Sequence, residues 1–166
     1  TQQDRMIQWC KKKYPLHEYN RAAKITRDLR PIKSQEEIDL IQKAADISVE
    51  GFLRVLKAVK PGIKEYELEA ELTYNLVKSG ATRHAFKPIV ASGKNACALH
   101  YNTNDGICQD GDMILLDFGV CHANYNSDTT RCIPVNGKFS ARQKEVYSAV
   151  LHCLKEGSKL LKPGVV

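Results

Sequence analysis

Residues 113–135, "MILLDFGVCHANYNSDTTRCIPV", decide the fold of this chain. The apolar start of the stretch, "MILL", is typical of a buried strand and runs directly into Asp117. A second segment rich in β-branched residues begins with Asp128. A loop centred between His122 and Ala123 would pair the two segments as an antiparallel hairpin. Asp117 would then lie directly opposite Asp128, with Cβ atoms roughly 5 Å apart.

Two carboxylates that face each other on a mostly buried sheet repel and also lose hydration. Protonation of one acid would relieve the repulsion, as in the aspartic protease dyad. A divalent cation would relieve it further, because hard carboxylate oxygens suit Mn²⁺, Mg²⁺ or Zn²⁺. In the simplest alternative, Asp117 ends its strand and Asp128 forms a surface ion pair with Arg131. Spacing alone leaves these three interpretations open.

Helices are predicted on the N-terminal side of this hairpin. Ser34 and Glu37 form a capping box, and apolar residues follow at helical spacing until Pro61-Gly62 ends the helix. A second helix is predicted from about residue 65 to residue 79, with Gly80 as its left-handed cap. The stretch 86–93 reads as a short strand that continues into a loop.

A last helix is predicted after Ser140, and it ends in a repeated signal. The segment "KLLKPGV" at 159–165 echoes "KAVKPGI" at 57–63, and each copy follows a capped amphipathic helix. This echo predicts a duplicated unit whose second copy has just begun where the chain stops.

Composition is that of one globular domain: 166 residues, 43% hydrophobic and 27% charged. The net charge of +6 comes from residues 1–33, and a basic run there more often forms a solvated helix face than a nucleic-acid site. No apolar run approaches the roughly 20 residues that span a bilayer. The six scattered cysteines predict free thiols and a cytoplasmic location. We therefore expect neither nucleic acid nor membrane as a partner.

Three segments together are highly specific: "IVASGKNACALHYNTND" (89–105), "GDMILLDFG" (111–119) and "NSDTTRCIPVNGKFSARQKEVYSAVL" (126–151). They resemble the metallopeptidases of the pita-bread fold, in particular the aminopeptidase P and Xaa-Pro dipeptidase branch. The resemblance implies an α+β fold in which amphipathic helices pack on a curved, mainly antiparallel sheet. It covers residues 31–166 as the N-terminal half of the catalytic domain. Residues 1–30 would connect this half to an upstream domain.

The resemblance also implies a metal site and an activity. Asp117 corresponds to a ligand of one metal ion, and Asp128 to a ligand that bridges two. His100 corresponds to a histidine that lines the substrate side and helps the transition state. The cofactors would be two divalent ions, with manganese first and zinc or cobalt as alternatives. The substrates would be peptides with proline at the second position, from which the N-terminal residue is released.

The family's three other ligands, one His and two Glu, belong to its second half and have no counterpart in this chain. We therefore expect the chain alone to bind metal weakly and to hydrolyse nothing. An exposed apolar face, left by the missing half, would favour a homo-oligomer. The main alternative is a catalytically inactive pita-bread protein that binds peptides or proteins. Glycoside hydrolysis by two carboxylates would need separations above about 5 Å and no metal. "DFG" also occurs in protein kinases, but no Gly-rich phosphate loop precedes it here.

Overall fold

The computed structural model describes residues 2–165, whose packing divides the chain into two compact units, one up to Glu36 and one from Glu37 onward. The first unit contains helices α1 (Gln2–Lys13) and α2 (Ala23–Leu29). Neither helix buries a residue, in agreement with the few apolar anchors that the sequence offers here. The three segments that carry the family resemblance all belong to the second unit.

Two long helices begin and end close to the residues predicted from the sequence. Helix α3 (Gln35–Ala58) starts directly after Ser34, and α4 (Glu65–Lys78) ends just before Gly80. Gly80 has a φ of 71°, the left-handed conformation that terminates many helices and that glycine adopts without strain.

Within residues 2–165, six short strands follow: β1 (Arg83–His84), β2 (Ile89–Ser92), β3 (Met113–Phe118), β4 (Val120–His122), β5 (Tyr125–Asn126) and β6 (Thr129–Pro134). They form two three-stranded antiparallel sheets in the orders β1-β4-β5 and β2-β3-β6. A 3₁₀ helix (Gly93–Cys97) lies between β2 and β3, and helix α5 (Ala141–Leu160) follows β6.

The hairpin that carries the aspartates has a different register from the predicted one. Its tip is a two-residue turn at Ala123 and Asn124, whose φ values of 49° and 68° are those of a type I′ turn. The centre of the loop is therefore one residue later than predicted, and Asp117 lies opposite Thr130. The prediction that Asp117 directly faces Asp128 is wrong. Asp128 is displaced by two positions, and an even displacement keeps a side chain on the same face of the sheet.

Regular pairing in this hairpin is interrupted at Gly119, between β3 and β4. A Cβ atom on Gly119 would lie 2.1 Å from the carbonyl oxygen of Ser127, so only glycine fits this close approach. The Ser127 hydroxyl accepts a hydrogen bond from the Val120 N–H (2.9 Å) and lies 2.7 Å from the hydroxyl of Ser48 in α3. The interruption separates the two sheets, and the hydroxyl contacts hold the strand pair to the helix beneath it.

The apolar core lies between α3, α4 and one face of the β2-β3-β6 sheet. Along β3, burial alternates, and its core-facing residues touch the helices. The helices-on-antiparallel-sheet architecture is that of the first half of a pita-bread fold, so the fold class is confirmed, and the sheet is not closed. The buried cluster consists of Val55, Leu68, Leu72, Val90, Cys108, Ile114, Leu116, Phe118 and Val135.

Helix α5 begins at the predicted cap but buries none of its residues. The Ser140 hydroxyl accepts a hydrogen bond from the Gln143 N–H (3.3 Å), as a capping box requires. The apolar face of the helix is exposed: Val146, Val150 and Leu154 keep 46%, 63% and 61% of their accessible surface. None of the helices within residues 2–165 combines the length and apolarity that a bilayer span needs.

Candidate metal-binding and catalytic site

His100, Asp117 and Asp128 line one open cavity of about 390 Å³. Asp117 comes from the central strand β3, Asp128 from the start of the last strand segment, and His100 from the loop after β2. Three residues that are distant in the sequence are thus brought to one place. The other lining residues are Phe86, Lys87, Ile89 and Asn102.

Asp117 is held in place from both sides of its strand. Ile89 of β2 is its register partner on one side, and Thr130 of β6 is its partner on the other. The Thr130 hydroxyl donates a hydrogen bond to Oδ1 of Asp117 at 3.1 Å. This bond orients the carboxylate and leaves its second oxygen free to face the cavity.

Asp128 is exposed and lies where the hairpin ladder is interrupted. Among residues 2–165 its carboxylate has neither a hydrogen bond nor an ion pair. Arg131, the cation considered as its partner, instead donates from Nη1 to the carbonyl oxygen of Thr130 at 2.8 Å. The interpretation of Asp128 as half of a surface ion pair with Arg131 is therefore wrong.

The two carboxylates suit a divalent cation in type but not in number. Asp117 and Asp128 present hard oxygen donors to the same cavity, and one of them is already oriented by a neighbouring hydroxyl. Within the described part of the chain, no group of three or more His, Cys, Asp or Glu side chains could hold a metal. The remaining ligands would have to be water or groups outside residues 2–165.

His100 occupies an unusual backbone position in the 93–106 loop. Its φ of 56° is left-handed, a conformation that is uncommon outside glycine but that histidine, like asparagine and aspartate, adopts more often than other residues. Its ring is exposed, and the preceding Leu99 keeps 90% of its surface exposed. His100 itself therefore has little packing to hold it, and the loop must be fixed through other residues.

Asn104 is one of two residues whose side chains fix this loop by hydrogen bonds. Its side chain is buried, and its Oδ1 accepts a hydrogen bond from the Val90 N–H of β2 at 3.0 Å. Its Nδ2 donates to the carbonyl oxygen of Pro88 at 2.9 Å and to Oε2 of Glu69 at 2.8 Å. The loop is thus tied to β2 and to α4 by one amide.

Glu65, the first residue of α4, is the second residue that fixes the loop. Its side chain is fully buried, and its two oxygens accept five hydrogen bonds. Burial raises the pKa of the Glu65 carboxyl, but the hydrogen bonds from Asn95, Tyr101 and Ser92 outweigh it, so that the pKa lies below its ordinary value. The donors are the Ser92 N–H (2.7 Å), Ser92 hydroxyl (2.8 Å), Asn95 amide (3.0 Å), Tyr101 hydroxyl (2.7 Å) and Gly106 N–H (2.8 Å).

Neither Asn104 nor Glu65 was predicted from the sequence to fix this loop. Glu65 lies in the first turn of a helix, where a solvated carboxylate near the positive dipole end is the usual expectation. The polar density of the loop that follows β2, with Asn95, Tyr101 and Asn104 in a short span, was the available signal. Buried polar side chains require partners, and the two glutamates on one side of α4 supply them.

Comparisons with known proteins identify the family of this chain. The model of metallopeptidase family M24 matches residues 39–166. The Xaa-Pro aminopeptidase of Escherichia coli (strain K12) is 38% identical over 140 residues, which are 84% of this chain and 32% of that protein. The Xaa-Pro dipeptidase of Pyrococcus horikoshii is 35% identical over 159 residues, which are 96% of this chain and 45% of that protein.

Solved structures give the same result. Proline aminopeptidase P II from Yersinia pestis superposes with a TM-score of 0.84 at 37% identity, over 86% of this chain and 33% of that one. The chain thus spans between about a third and a half of the length of the curated relatives it matches. By its motifs, its fold and these matches, the chain belongs to metallopeptidase family M24.

Proposed function

We propose that the protein carrying this chain is a metal-dependent peptidase that releases the N-terminal residue in front of a proline. In this proposal, residues 31–166 form the first half of the catalytic domain, and residues 1–30 connect it to an upstream domain. The observation that supports it most directly is the meeting of His100, Asp117 and Asp128 at one cavity. The names of the relatives, Xaa-Pro aminopeptidase and Xaa-Pro dipeptidase, supply the substrate class.

Asp117 and Asp128 would hold the divalent ions. Bound ions of this kind lower the pKa of water and polarise a carbonyl group. The chain's own contribution is to fix the ligands: Thr130 orients the Asp117 carboxylate, and the interruption at Gly119 exposes Asp128 to the same space. Mn²⁺ is the ion we propose, because the resemblance to the aminopeptidase P branch implies manganese and because carboxylate oxygens are donors that suit it.

His100 would act on the substrate. An exposed imidazole beside the cavity can donate a hydrogen bond to the carbonyl oxygen on which negative charge develops during hydrolysis. Lys87, which lines the same cavity, adds a positive charge near that oxygen. Neither residue needs to supply or remove a proton for this stabilisation.

The first experiment tests the metal site in the chain alone. Titration with Mn²⁺ by calorimetry should show weak binding, because two carboxylates leave most of the coordination sphere to water. The D117N and D128N variants should lose this binding, whereas E67Q, a matched change at an exposed carboxylate of α4, should retain it. A dissociation constant of about 1 µM or tighter for the unmodified chain would contradict the ligand count.

The second experiment tests the activity in the full-length protein. With Mn²⁺ present, it should release the first residue of a Gly-Pro-Leu peptide but not of Gly-Ala-Leu, and D117N and D128N should abolish the reaction. The chain of residues 1–166 alone should be inactive on both peptides. If the full-length protein binds these peptides without cleaving them, it is an inactive binding module and the proposed activity is wrong.

A further inference from the structure

Glu65 has no part in the chemistry proposed above, because it does not line the cavity that holds the aspartates. It is nevertheless fully buried, and an unpaired charge at such a depth costs several kcal/mol, as a rough scale. The hydrogen bonds that Glu65 accepts indicate what this buried carboxylate does in the structure.

The five donors to Glu65 are distributed over the whole loop that carries His100. Ser92 ends the strand before the loop, Asn95 lies in the 3₁₀ helix, and Tyr101 directly follows His100. Gly106 closes the loop on the far side. One carboxylate thus fixes the beginning, the middle and the end of the segment.

Space around Glu65 is as restricted as its hydrogen bonding. A Cβ atom on Gly106 would lie 2.8 Å from Oε1 of Glu65 and 2.7 Å from Nδ2 of Asn95. The backbone N–H of Glu65 also donates to the Gly106 carbonyl oxygen at 3.0 Å, so the two residues bond in both directions. The end of the loop is therefore packed directly against the carboxylate.

We infer that Glu65 is a positioning residue that holds His100 at the cavity, and that it acts mainly through the hydroxyl of Tyr101. Tyr101 is the only one of the four contacting residues that is adjacent to His100, and its hydroxyl lies 2.7 Å from Oε2 of Glu65. The catalytic consequence of this inference rests on the proposed function, whereas its structural consequence does not.

A carboxylate is required because all five partners donate. An ionised Glu is acceptor-only, so it can receive every bond. The E65Q variant has the same shape, but its amide nitrogen would meet donors on one side, either Tyr101 and Gly106 or Ser92 and Asn95. E65Q therefore releases part of the loop while it leaves the volume of the core unchanged.

The experiment uses four variants: E65Q, Y101F, the double variant, and E67Q as a matched control. Glu67 lies in the same helical turn, but its carboxylate is exposed and accepts only the Lys64 N–H. Two readouts in the chain of residues 1–166 do not depend on activity. They are the NMR chemical shift of the His100 ring and the hydrogen exchange of loop 93–106 relative to that of strand β3.

E65Q and Y101F should each shift the His100 ring signal and speed exchange in the loop by about tenfold or more, while exchange in β3 changes little. E67Q should change neither readout. In the full-length protein, E65Q should lower kcat about tenfold with a smaller change in KM, because a displaced His100 weakens the transition state more than substrate binding. The kcat of the double variant should be little lower than that of E65Q alone, since both substitutions disrupt the same connection between Glu65 and His100.

The inference would be overturned if E65Q left the NMR signal of the His100 ring unshifted. It would also be overturned if the losses in kcat of E65Q and Y101F combined fully in the double variant. A uniform speeding of exchange across loop and strand would overturn it as well, because it indicates that Glu65 only stabilises the fold. If E65Q does not fold, Y101F decides, because it keeps the Glu65 carboxylate and removes the tyrosine hydroxyl, which contacts Glu65, Asn95 and Asp105. If the unmodified full-length protein fails to cleave Xaa-Pro peptides, the proposed function fails, and the two structural readouts still decide the role of Glu65.

Discussion

The chain contains two groups of carboxylates that the fold treats in opposite ways. Glu65 is fully buried and receives five hydrogen bonds from the chain itself. Asp117 receives one, from Thr130, and Asp128 receives none within residues 2–165. The buried acid is satisfied by the protein, whereas the two acids at the cavity are left with free lone pairs.

This difference separates an acid whose hydrogen bonds are all supplied by the chain from two acids that keep oxygens available to a ligand. Hydrogen bonds from backbone and side chains remove the cost of burying Glu65, and no further partner is needed. Two aspartates on one face with few donors retain both their repulsion and their capacity to coordinate. Counting donors around a carboxylate thus indicates its role more clearly than its position in the sequence does.

The largest loss of stability is expected from G119A, a substitution in the hairpin that carries the two aspartates. The new methyl group would lie 2.1 Å from the Ser127 carbonyl oxygen, and a backbone atom cannot move aside without separating the strands. We expect the free energy of unfolding to fall by about 3 kcal/mol, measured by urea denaturation. G157A is the matched control in helix α5, where nothing lies within 4 Å, and it should raise stability by about 0.5 kcal/mol. Equal effects of the two variants would refute the close approach at Gly119.

A smaller loss of stability is expected from G106A, a substitution next to the buried carboxylate of Glu65. The methyl group would press on the ends of two side chains rather than on backbone, so Glu65 and Asn95 can shift by some tenths of an ångström. A loss of about 2 kcal/mol is expected, with faster hydrogen exchange confined to loop 93–106. If G106A costs as much as G119A, the pocket around Glu65 is more rigid than its side-chain contacts imply.

The pH dependence of stability tests whether Glu65 is ionised in the folded chain. The pKa of folded Glu65 lies below its ordinary value of 4.5, so its contribution to stability is fully present above that value and is lost as the pH falls through the folded pKa. The stability difference between the unmodified chain and E65Q should therefore shrink as the pH is lowered below about 4.5. Tyr101 and the Cys108 thiol, which both interact with Glu65, stay protonated throughout this range, because their pKa values are raised above ordinary values of 10.0 and 9.0. A difference that is constant with pH would mean that Glu65 is not ionised in the folded chain.

The smallest effect is expected from D128N measured in EDTA. Asp128 makes no hydrogen bond within the described chain, so the amide removes repulsion from Asp117 without breaking a contact. A gain of about 0.5 kcal/mol or less in the free energy of unfolding should result, because both groups face water. A clear loss of stability would show that Asp128 has a structural partner and does not belong with the unsatisfied acids.

Much of the fold could be predicted from local signals. The ends of α3, α4 and α5 follow from Ser34, Gly80 and Ser140, because caps depend on residues within one helical turn. The register of the hairpin could not be fixed in this way. Its turn places Ala123 in the left-handed region, and alanine gives no local signal for that conformation.

The candidate site could be predicted only in part for a similar reason. Motif resemblance identified His100, Asp117 and Asp128 as candidates, and parity along the strands kept the two aspartates on one face in spite of the wrong register. Glu65 and Asn104 escaped prediction because their partners lie far away in the sequence. The Glu65 to Gly106 hydrogen bond, for example, spans 41 residues.

That span has a consequence for the order in which the molecule assembles. The aspartates come from a hairpin joined by a two-residue turn, and such hairpins close in about 1–10 µs. We expect the histidine to reach its place later, because a loop of 41 residues must close on the first residue of α4, and closing a long loop is slower and entropically more costly. The acidic half of the cavity is then expected to form before the imidazole joins it.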